Sequence, residues 1–547
     1  MGATDRFERV PALPSSTRDR QSLILWLLAG SIAITLLTPM LWIVLQASEV
    51  PFEQALEILL RQETFDIFLN TVVLVVAVTT ASILIGVPLA MLTVQTDLPF
   101  RRFWTIVAAL PLVIPSYIGA FAFVSAFGPR GVLADSLAPL GIEQIPSIYG
   151  LVGSVLVLTL FTYPYIFLTT RASLLSLDGK AVEAARTLNH SRWGAFKRIT
   201  LPQLVPGIAA GSLLVALYTL SDFGTPSIMQ YDVFTRMIYV EYQAWRTDFA
   251  SIFSLVLVVM TIVILAVESR IERADEDDAY VNRGTDRAAT ISLGVWKGPA
   301  LAFCSAIAVL ALVVPPAILL YWLTNSPASF GSSATFQWVY AWNSVHVSAL
   351  AAGVSVLAAL PLAYLSARGD SWWSSLPERA SYVGYSIPGI VLGLGLIYLA
   401  LNFRPELFGF ELNLYYTTAI LVFAYVVRFL PQAVGTIRSS VLQTDSTLTE
   451  AARTLGHSPL VAFRKVVLPL VMPGVIAGAA LVFLTSMKEL AATLLLRKPE
   501  FETLVTYIWK VQGTGEYGKA AVPALVLIGV SGLSMLVLLW RGYDVKE

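Results

Sequence analysis

The chain has 547 residues, 56% of them hydrophobic and 13% charged, with a mean hydropathy of +0.72, a balance that excludes a soluble globular or disordered protein and indicates a polytopic membrane protein. Its 36 basic and 36 acidic residues cancel, so no global field points to nucleic acid, and the placement of the charges carries the information. The single cysteine, Cys304, lies in an apolar run and excludes an internal disulfide or a cysteine metal cluster.

Residues 1–21 mix Asp5, Glu8 and Asp19 with Arg6, Arg9, Arg18 and Arg20 before any apolar run. The run that follows is long enough to span a bilayer, which predicts an uncleaved anchor and not a signal peptide. A hydrocarbon core about 30 Å thick needs roughly 20 apolar residues per helix. Stretches that meet this need begin near Leu23, Phe68, Trp104, Tyr149, Gln203, Ile252, Pro299, Val345, Ser381, Tyr415, Leu470 and Ala521, predicting an all-α integral membrane fold of about 12 transmembrane helices. With the N-terminus inside, the cytoplasmic loops receive Arg101 and Arg102, the run Arg171 to Arg198, Arg270 to Lys297, Arg368 and Arg379, and Arg438 to Lys465, as the positive-inside asymmetry requires. The outer loop from Thr324 to Asn343 has no basic residue, whereas Arg497, Lys498, Lys510 and Lys519 make the last outer loop an exception. Residues 269–297, where Glu272, Asp275, Glu276, Asp277 and Asp278 alternate with arginines, are too polar for lipid. They are expected to form a cytoplasmic linker between a first half, 22–268, and a second half, 298–547, with both termini cytoplasmic.

The halves repeat one another. Asn70-Thr71-Val72 and Pro88-Leu89-Ala90 recur at the same spacing as Asn343-Ser344-Val345 and Pro361-Leu362-Ala363, and Ile114-Pro115 recurs as Ile387-Pro388. Glu183 to Gly211 matches Glu450 to Gly478 at 16 of 29 positions, beyond what shared apolar composition produces. With an even number of spans in each half, the repeats face the same way as two parallel six-helix units, and a pathway is expected between them. Pro88, Pro115, Pro361 and Pro388 are expected to kink their spans, and the G-x-x-x-G of Gly389 and Gly393 to permit close helix packing.

The strongest repeat is a cytoplasmic loop. Asp178 and Asp445 suit the N-cap of a short helix, and Glu183 and Glu450 follow near its positive end. Asn189 and Gly456, residue types that accept positive φ, should end it. Ser191 and Ser458 are expected to cap a second helix, with Pro459 at its first position. Ala184, Ala185, Ala451 and Ala452 lack bulk and would allow another protein to approach the backbone closely. His190 and His457 recur in the loop without other ligands at metal spacing, so they read as turn or contact residues and no metal site is assigned.

This loop resembles the signature of permease subunits in binding-protein-dependent ABC importers: Glu-Ala-Ala, three residues, Gly, nine residues, Ile, one residue, Leu-Pro. Glu183, Ala184, Ala185, Ile199, Leu201 and Pro202 match in the first copy, with Asn189 in place of glycine; Glu450, Ala451, Ala452, Gly456, Leu468 and Pro469 match in the second, with Val466 in place of isoleucine. The resemblance implies that Glu183 and Glu450 each contact one of two ABC ATPase subunits, whose closure would rock the halves between inward- and outward-open states. The sequence has no G-x-x-x-x-G-K-[ST] loop, so ATP and magnesium are expected on the partner ATPase, with no cofactor and no catalysis on this chain. A separate extracytoplasmic solute-binding protein, a multi-pass place in the bacterial cytoplasmic (inner) membrane and contact with its lipid are implied as well.

The fused halves are most similar to ferric iron importers. Ser221-Asp222-Phe223-Gly224-Thr225-Pro226, with Phe234-Thr235-Arg236 and Tyr239, and Ser486-Met487-Lys488-Glu489-Leu490 through Arg497 carry that likeness, and Ala491 stands where a proline is expected. Thiamine, sulfate, polyamine and phosphonate importers share the architecture. An ion-coupled secondary transporter is the alternative from another class, but it has no use for two matched docking loops. Asp222 and Glu489 align at the offset that relates the two loops. Hard cations prefer oxygen ligands and ionisable groups at membrane depth are functional candidates, so both, with Lys488 adjusting the local charge, are expected to line or gate the entrance. The competing expectation is that each carboxylate caps a helix end or meets the binding protein.

Overall fold

Lipid offers the backbone no hydrogen-bond partner, so a spanning chain must satisfy its own polar groups. A computed structural model describes residues 16–128, 131–132, 147–177, 194, 196–278, 290–325, 335–369, 372–404, 406–407, 410–411 and 413–543, and these are helical apart from connections and one small antiparallel hairpin, Glu406–Leu407 with Phe410–Glu411. Among the described residues nine helices are long and apolar enough to cross a membrane: Leu23–Ser48, Gln62–Gln95, Leu151–Ser176, Leu201–Ser221, Thr247–Val267, Gly294–Asn325, Trp338–Arg368, Thr418–Gln443 and Pro459–Met487. Two broken pairs, Arg101–Val113 with Ser116–Phe127 and Trp373–Ser386 with Gly389–Asn402, and the final helix Tyr517–Tyr543 occupy the three remaining predicted places.

The prolines divide into two kinds. Pro88 and Pro361 sit inside continuous helices. Pro115 and Pro388 do more than kink their spans: each has left the helical region, at φ −59°, ψ 135° and φ −55°, ψ 138°. In the first copy the two pieces meet at 90°. Ile114 has moved to φ −84°, ψ 120°, because a proline ring crowds the residue before it out of the α region.

Cα packing groups the chain into two units that do not follow the halves: Met1–Thr38, Leu350–Tyr385 and Val426–Phe483 in one, and Pro39–Ala349, Ser386–Tyr425 and Leu484–Glu547 in the other. Within each unit the repeat reproduces the same packing. In the larger one, Leu201–Ser221 crosses Leu151–Ser176 at Gly207 and Gly211: a methyl on Gly211 would lie 2.7 Å from Ile166 Cα, and one on Gly207 would lie 3.1 Å from the Thr169 carbonyl oxygen. In the smaller unit, Gly478 faces Ala433 Cα at 2.9 Å and Gly474 the Thr436 carbonyl oxygen at 2.7 Å, the aligned partners in every case. Without side chains the backbones approach closely, which is how small residues promote helix association in membranes. Gly393 plays a related part, facing Leu495 and Ala492.

The recurring Asn-Thr and Asn-Ser pairs are also explained. Asn70 donates to the Asp232 carbonyl at 3.1 Å and Thr71 Oγ1 accepts from Phe234 N–H at 3.2 Å. Asn343 donates to the Glu502 carbonyl at 2.8 Å and Ser344 Oγ accepts from Leu504 N–H at 2.9 Å. In both copies the early part of a span thus takes the first N–H of a second helix, Phe234–Gln243 or Leu504–Thr514, and a carbonyl just ahead of it.

The linker is more structured than its polarity predicts. The helix from Thr247 continues to Asp278, and beyond residues 279–289 the chain is pinned to the turn after the second span. Ile291 N–H donates to the Gln95 carbonyl at 2.8 Å, Asp97 N–H to the Ile291 carbonyl at 3.1 Å, and Leu293 N–H to Asp97 Oδ1 at 2.8 Å, with Lys297 Nζ 2.8 Å from Asp97 Oδ2. Ala300 and Cys304 then pack among Leu89, Tyr163, Phe167 and Leu204 of the first half, so the cysteine is a packing residue. Three of the four cations that broke the charge asymmetry are paired: Arg497 with Glu502 at 3.2 Å, Lys510 with Glu502 at 3.8 Å and Lys519 with Glu516 at 3.1 Å, while Lys498 lies over the Phe501 ring.

If the glycine crossings hold the fold, Gly211→Ile should lower stability by about 1–3 kcal/mol or more. Gly353→Ala, where nothing lies within 4 Å of the added methyl, should leave stability unchanged or slightly raised. Thermal unfolding and purified yield in detergent compare the two.

Candidate functional site

The second Glu-Ala-Ala loop folds as its residues dictate. Asp445 caps the helix Ser446–Thr454, its Oδ1 accepting from Thr447 N–H at 2.9 Å, and this bond holds the Asp445 carboxyl below its ordinary range. Gly456, at φ 84°, ends the helix, with its N–H on the Arg453 carbonyl and that of His457 on the Ala452 carbonyl. Glu450 and Ala451 are exposed, whereas Ala452 is buried, so one alanine of the pair faces its own protein. Ser458 stands at the N-cap of Pro459–Ala462 without making the expected side-chain bond; Pro459, lacking an N–H, leaves one fewer donor to satisfy. In the first loop Glu183, Ala184, Ala185, Asn189, His190 and Ser191 lie outside the described residues.

Both copies describe the Leu-Pro end of the signature. Phe196–Thr200 and Phe463–Val467 are single turns of wider π-helix, each followed at once by the span that Leu201-Pro202 or Leu468-Pro469 opens. A proline with no N–H to donate tolerates this widening, and such turns mark functional positions. In the second half the approach to the loop is braced as well. Arg368 donates to the carbonyls of Val441 at 3.4 Å and Thr444 at 2.7 Å, directly ahead of Asp445. Arg438 lies 3.3 Å from Glu378, which also accepts from the Ser366 hydroxyl.

At the opposite ends of these spans stand Asp222 and Glu489, and here the capping expectation is realised. Asp222 Oδ1 accepts from Thr225 N–H at 2.8 Å and Glu489 Oε1 from Ala492 N–H at 3.2 Å, so each carboxylate closes the start of a short helix, Gly224–Ile228 or Ala491–Leu496. The two turns meet. A methyl on Gly224 would lie 2.5 Å from Tyr117 Cβ and 3.3 Å from Leu490 Cδ2, and Tyr117 lies within electrostatic reach of both carboxylates.

Ser116, Tyr218, Tyr425, Thr493 and the Leu112 carbonyl, none of them anticipated from the sequence, join Asp222, Glu489 and Lys488 here. Ser116 donates from its hydroxyl to Asp222 Oδ2 and accepts from the Tyr218 hydroxyl at 3.2 Å. Tyr425 shares a 2.6 Å bond with Thr493, which donates to the Glu489 carbonyl. Lys488, half-buried, donates to the Leu112 carbonyl at 3.0 Å. The signal for Ser116 and Leu112 was present: both flank the repeated Ile-Pro where the span breaks. Among the described residues no group of three His, Cys, Asp or Glu side chains could hold a metal ion.

The family described as the inner membrane component of binding-protein-dependent transport systems matches residues 82–274 and again 355–540. The chain belongs to this family. The two matches to the permease begin 273 residues apart (355 − 82), the spacing that separates Asn70 from Asn343. The permease is 32% identical over 521 residues to a Fe(3+)-transport system permease protein of Haemophilus influenzae, covering 94% of this chain and 97% of that one. It is 25% identical to a ferric transport system permease protein of Actinobacillus pleuropneumoniae, over 90% of this chain and 74% of the other. A molybdenum transport system permease protein of Escherichia coli matches at 32% identity over 25% of this chain and 60% of its own. The chain is thus a multi-pass inner-membrane permease subunit of an ABC importer, whose family implies an ATPase and a solute-binding protein as partners.

The Asp445 cap gives a local expectation. Asp445→Ala should speed amide hydrogen exchange across residues 445–455, and Asp445→Asn should largely retain protection, because Asn caps nearly as well. Since the cap depresses the folded carboxyl's pKa, its contribution is present above the ordinary carboxylate range and is lost as pH falls through the lowered value. Protection of these amides should fall over the same interval.

Proposed function

We propose that this permease carries ferric iron delivered by an extracytoplasmic binding protein, driven by two copies of an ABC ATPase docked at Glu183 and Glu450. The observation that carries the solute assignment is the 32% identity to a Fe(3+)-transport permease along 94% of the chain. The shorter molybdenum relative covers one quarter of this chain and speaks to the shared architecture. The halves 22–268 and 298–547 enclose the pathway, and both termini lie in the cytoplasm, the orientation favoured by the basic residues of the loops. ATP and magnesium are handled by the ATPase, leaving this chain a non-catalytic conduit with no cofactor of its own.

The coupling role is supported by the shape of the second loop: a short capped helix with exposed Glu450 and Ala451, then a turn at Gly456 and a second short helix, Pro459–Ala462, that runs through one π turn into the eleventh span. Asp222, Glu489 and Lys488 stand at the far ends of the fifth and eleventh spans, where an entrance would lie. Their bonds to helix ends are compatible with lining it, since a carboxylate that caps with one oxygen keeps further acceptor sites.

Radiolabelled ferric iron uptake into vesicles carrying the permease with its cognate ATPase and binding protein tests the reading. Uptake should require ATP and vanish in a Glu183→Arg, Glu450→Arg double variant at equal expression. ATP-dependent uptake of a different solute would overturn the iron assignment, and undiminished uptake in the double variant would overturn the docking role.

A further inference from the structure

The break in the third span leaves two helix ends without intrahelical partners, and each is met by a charge of the sign its dipole favours. At the carboxyl end of Arg101–Val113, Ile114 N–H bonds the Pro111 carbonyl and Lys488 Nζ takes the Leu112 carbonyl at 3.0 Å. At the amino end of Ser116–Phe127, the Asp222 carboxylate accepts from the hydroxyl of Ser116, the first residue of that helix. Lys488 belongs to the second half and Asp222 to the first, so one broken span is held from both halves.

The repeat shows what is particular to this arrangement. Under the two alignment offsets Ser116 corresponds to Gly389 (116 + 273) and Lys488 to Ser221 (488 − 267). The second half therefore has no hydroxyl at the start of its resumed helix, and the first has no ammonium to offer.

A helix interrupted at proline has no hydrogen bond of its own across the break, so its angle is set by what grips the two ends. Here the grip is tight: Gly224 presses on Tyr117 and touches Leu490, without room for a methyl. The gripping residues also sit at the tips of levers. Asp222 follows Leu201–Ser221, and Lys488 follows Leu468–Met487, a helix of about 30 Å whose other end is the Leu-Pro of the second cytoplasmic loop. Lys488 is thus joined to that loop by one uninterrupted helix.

We propose that Lys488 and Asp222 are positioning residues that latch the broken third span, and that the transport cycle requires Lys488 to leave the Leu112 carbonyl. The latch rests on the reading that the cytoplasmic loops receive the ATPase stroke; it does not depend on the solute.

The test measures ATP hydrolysis by the reconstituted complex of permease, ATPase and binding protein, with and without the binding protein. Lys488→Met keeps the length and removes the ammonium. It should raise hydrolysis in the absence of binding protein and collapse the stimulation ratio toward unity, while Lys488→Arg retains stimulation. Ser116→Ala, which loosens the other end with minimal loss of volume, should lower the ratio in the same direction. A purely structural role would reduce assembled yield and thermal stability but leave the ratio of the assembled fraction at the wild-type value. That outcome in Lys488→Met, or in Ser116→Ala should the first variant fail to assemble, overturns the latch. Because hydrolysis is read and not iron, a different solute leaves this result unaffected.

Discussion

In lipid a backbone carbonyl finds no partner outside the protein, so an interrupted helix persists only where other parts of the chain complete it. That constraint organises the surroundings of the broken third span. Pro115 ends one half-helix and starts another at 90°, and the freed groups recruit Lys488 from one half of the chain and Asp222 from the other. A hydrogen bond to a charged group contributes about 1.5–3 kcal/mol net, and an unmade one withdraws at least as much. The interruption and its charged partners therefore stand or fall together.

Duplication explains most of the rest. The glycine crossings at 207 and 211 and at 474 and 478, the Asn70 and Asn343 clamps, the π turns before Leu-Pro and the two capping carboxylates each occur twice with matching partners. Where the copies depart, the departures collect around the broken span and the loops. The helix after the first outer turn is closed by Trp245 at φ 62°, and its counterpart by Gly515 at φ 73°. A side chain tolerates that conformation poorly, and Trp245, exposed just ahead of the span at Thr247, has the indole position favoured at a membrane interface. Arg368 and Glu378 brace the second loop through residues whose counterparts in the first half, by the 273-residue offset, are Gln95 and Thr105.

Much of this was legible in the sequence because hydrophobic length and repetition are robust signals. Ten of the twelve apolar starts fall in a spanning helix or a broken pair and the other two, Tyr149 and Tyr415, lie within three residues of one, and the Glu-Ala-Ala loop carries the likeness to the family. What escaped were features decided by three-dimensional context. Proline predicts a kink in all four spans, but only at 115 and 388 does the helix break, and at 115 the groups that meet the broken ends, Lys488 and Asp222, come from distant parts of the sequence. Gly207-x-x-x-Gly211 recurs in the aligned block as Gly474-x-x-x-Gly478, a spacing visible in the sequence whose packing partners are not. Residues 269–297 read as a polar linker, and its first part is helical, the helix from Thr247 extending through Asp278, since charged residues of both signs support a helix once it is clear of lipid. Ala452 read as a partner-facing alanine and is buried, because a short helix on a surface must turn one side to its own protein.

The most direct measurement is the distance from Lys488 Nζ to the Leu112 carbonyl oxygen in the permease–ATPase complex, determined by cryo-electron microscopy with the ATPase free of nucleotide and with nucleotide trapped at its sites. A latch that works in the cycle is made in one state, near the 3.0 Å seen here, and broken in the other, with the angle at Pro115 changing alongside. The same contact and the same angle in both states would contradict it and reduce Lys488 and Asp222 to static helix caps.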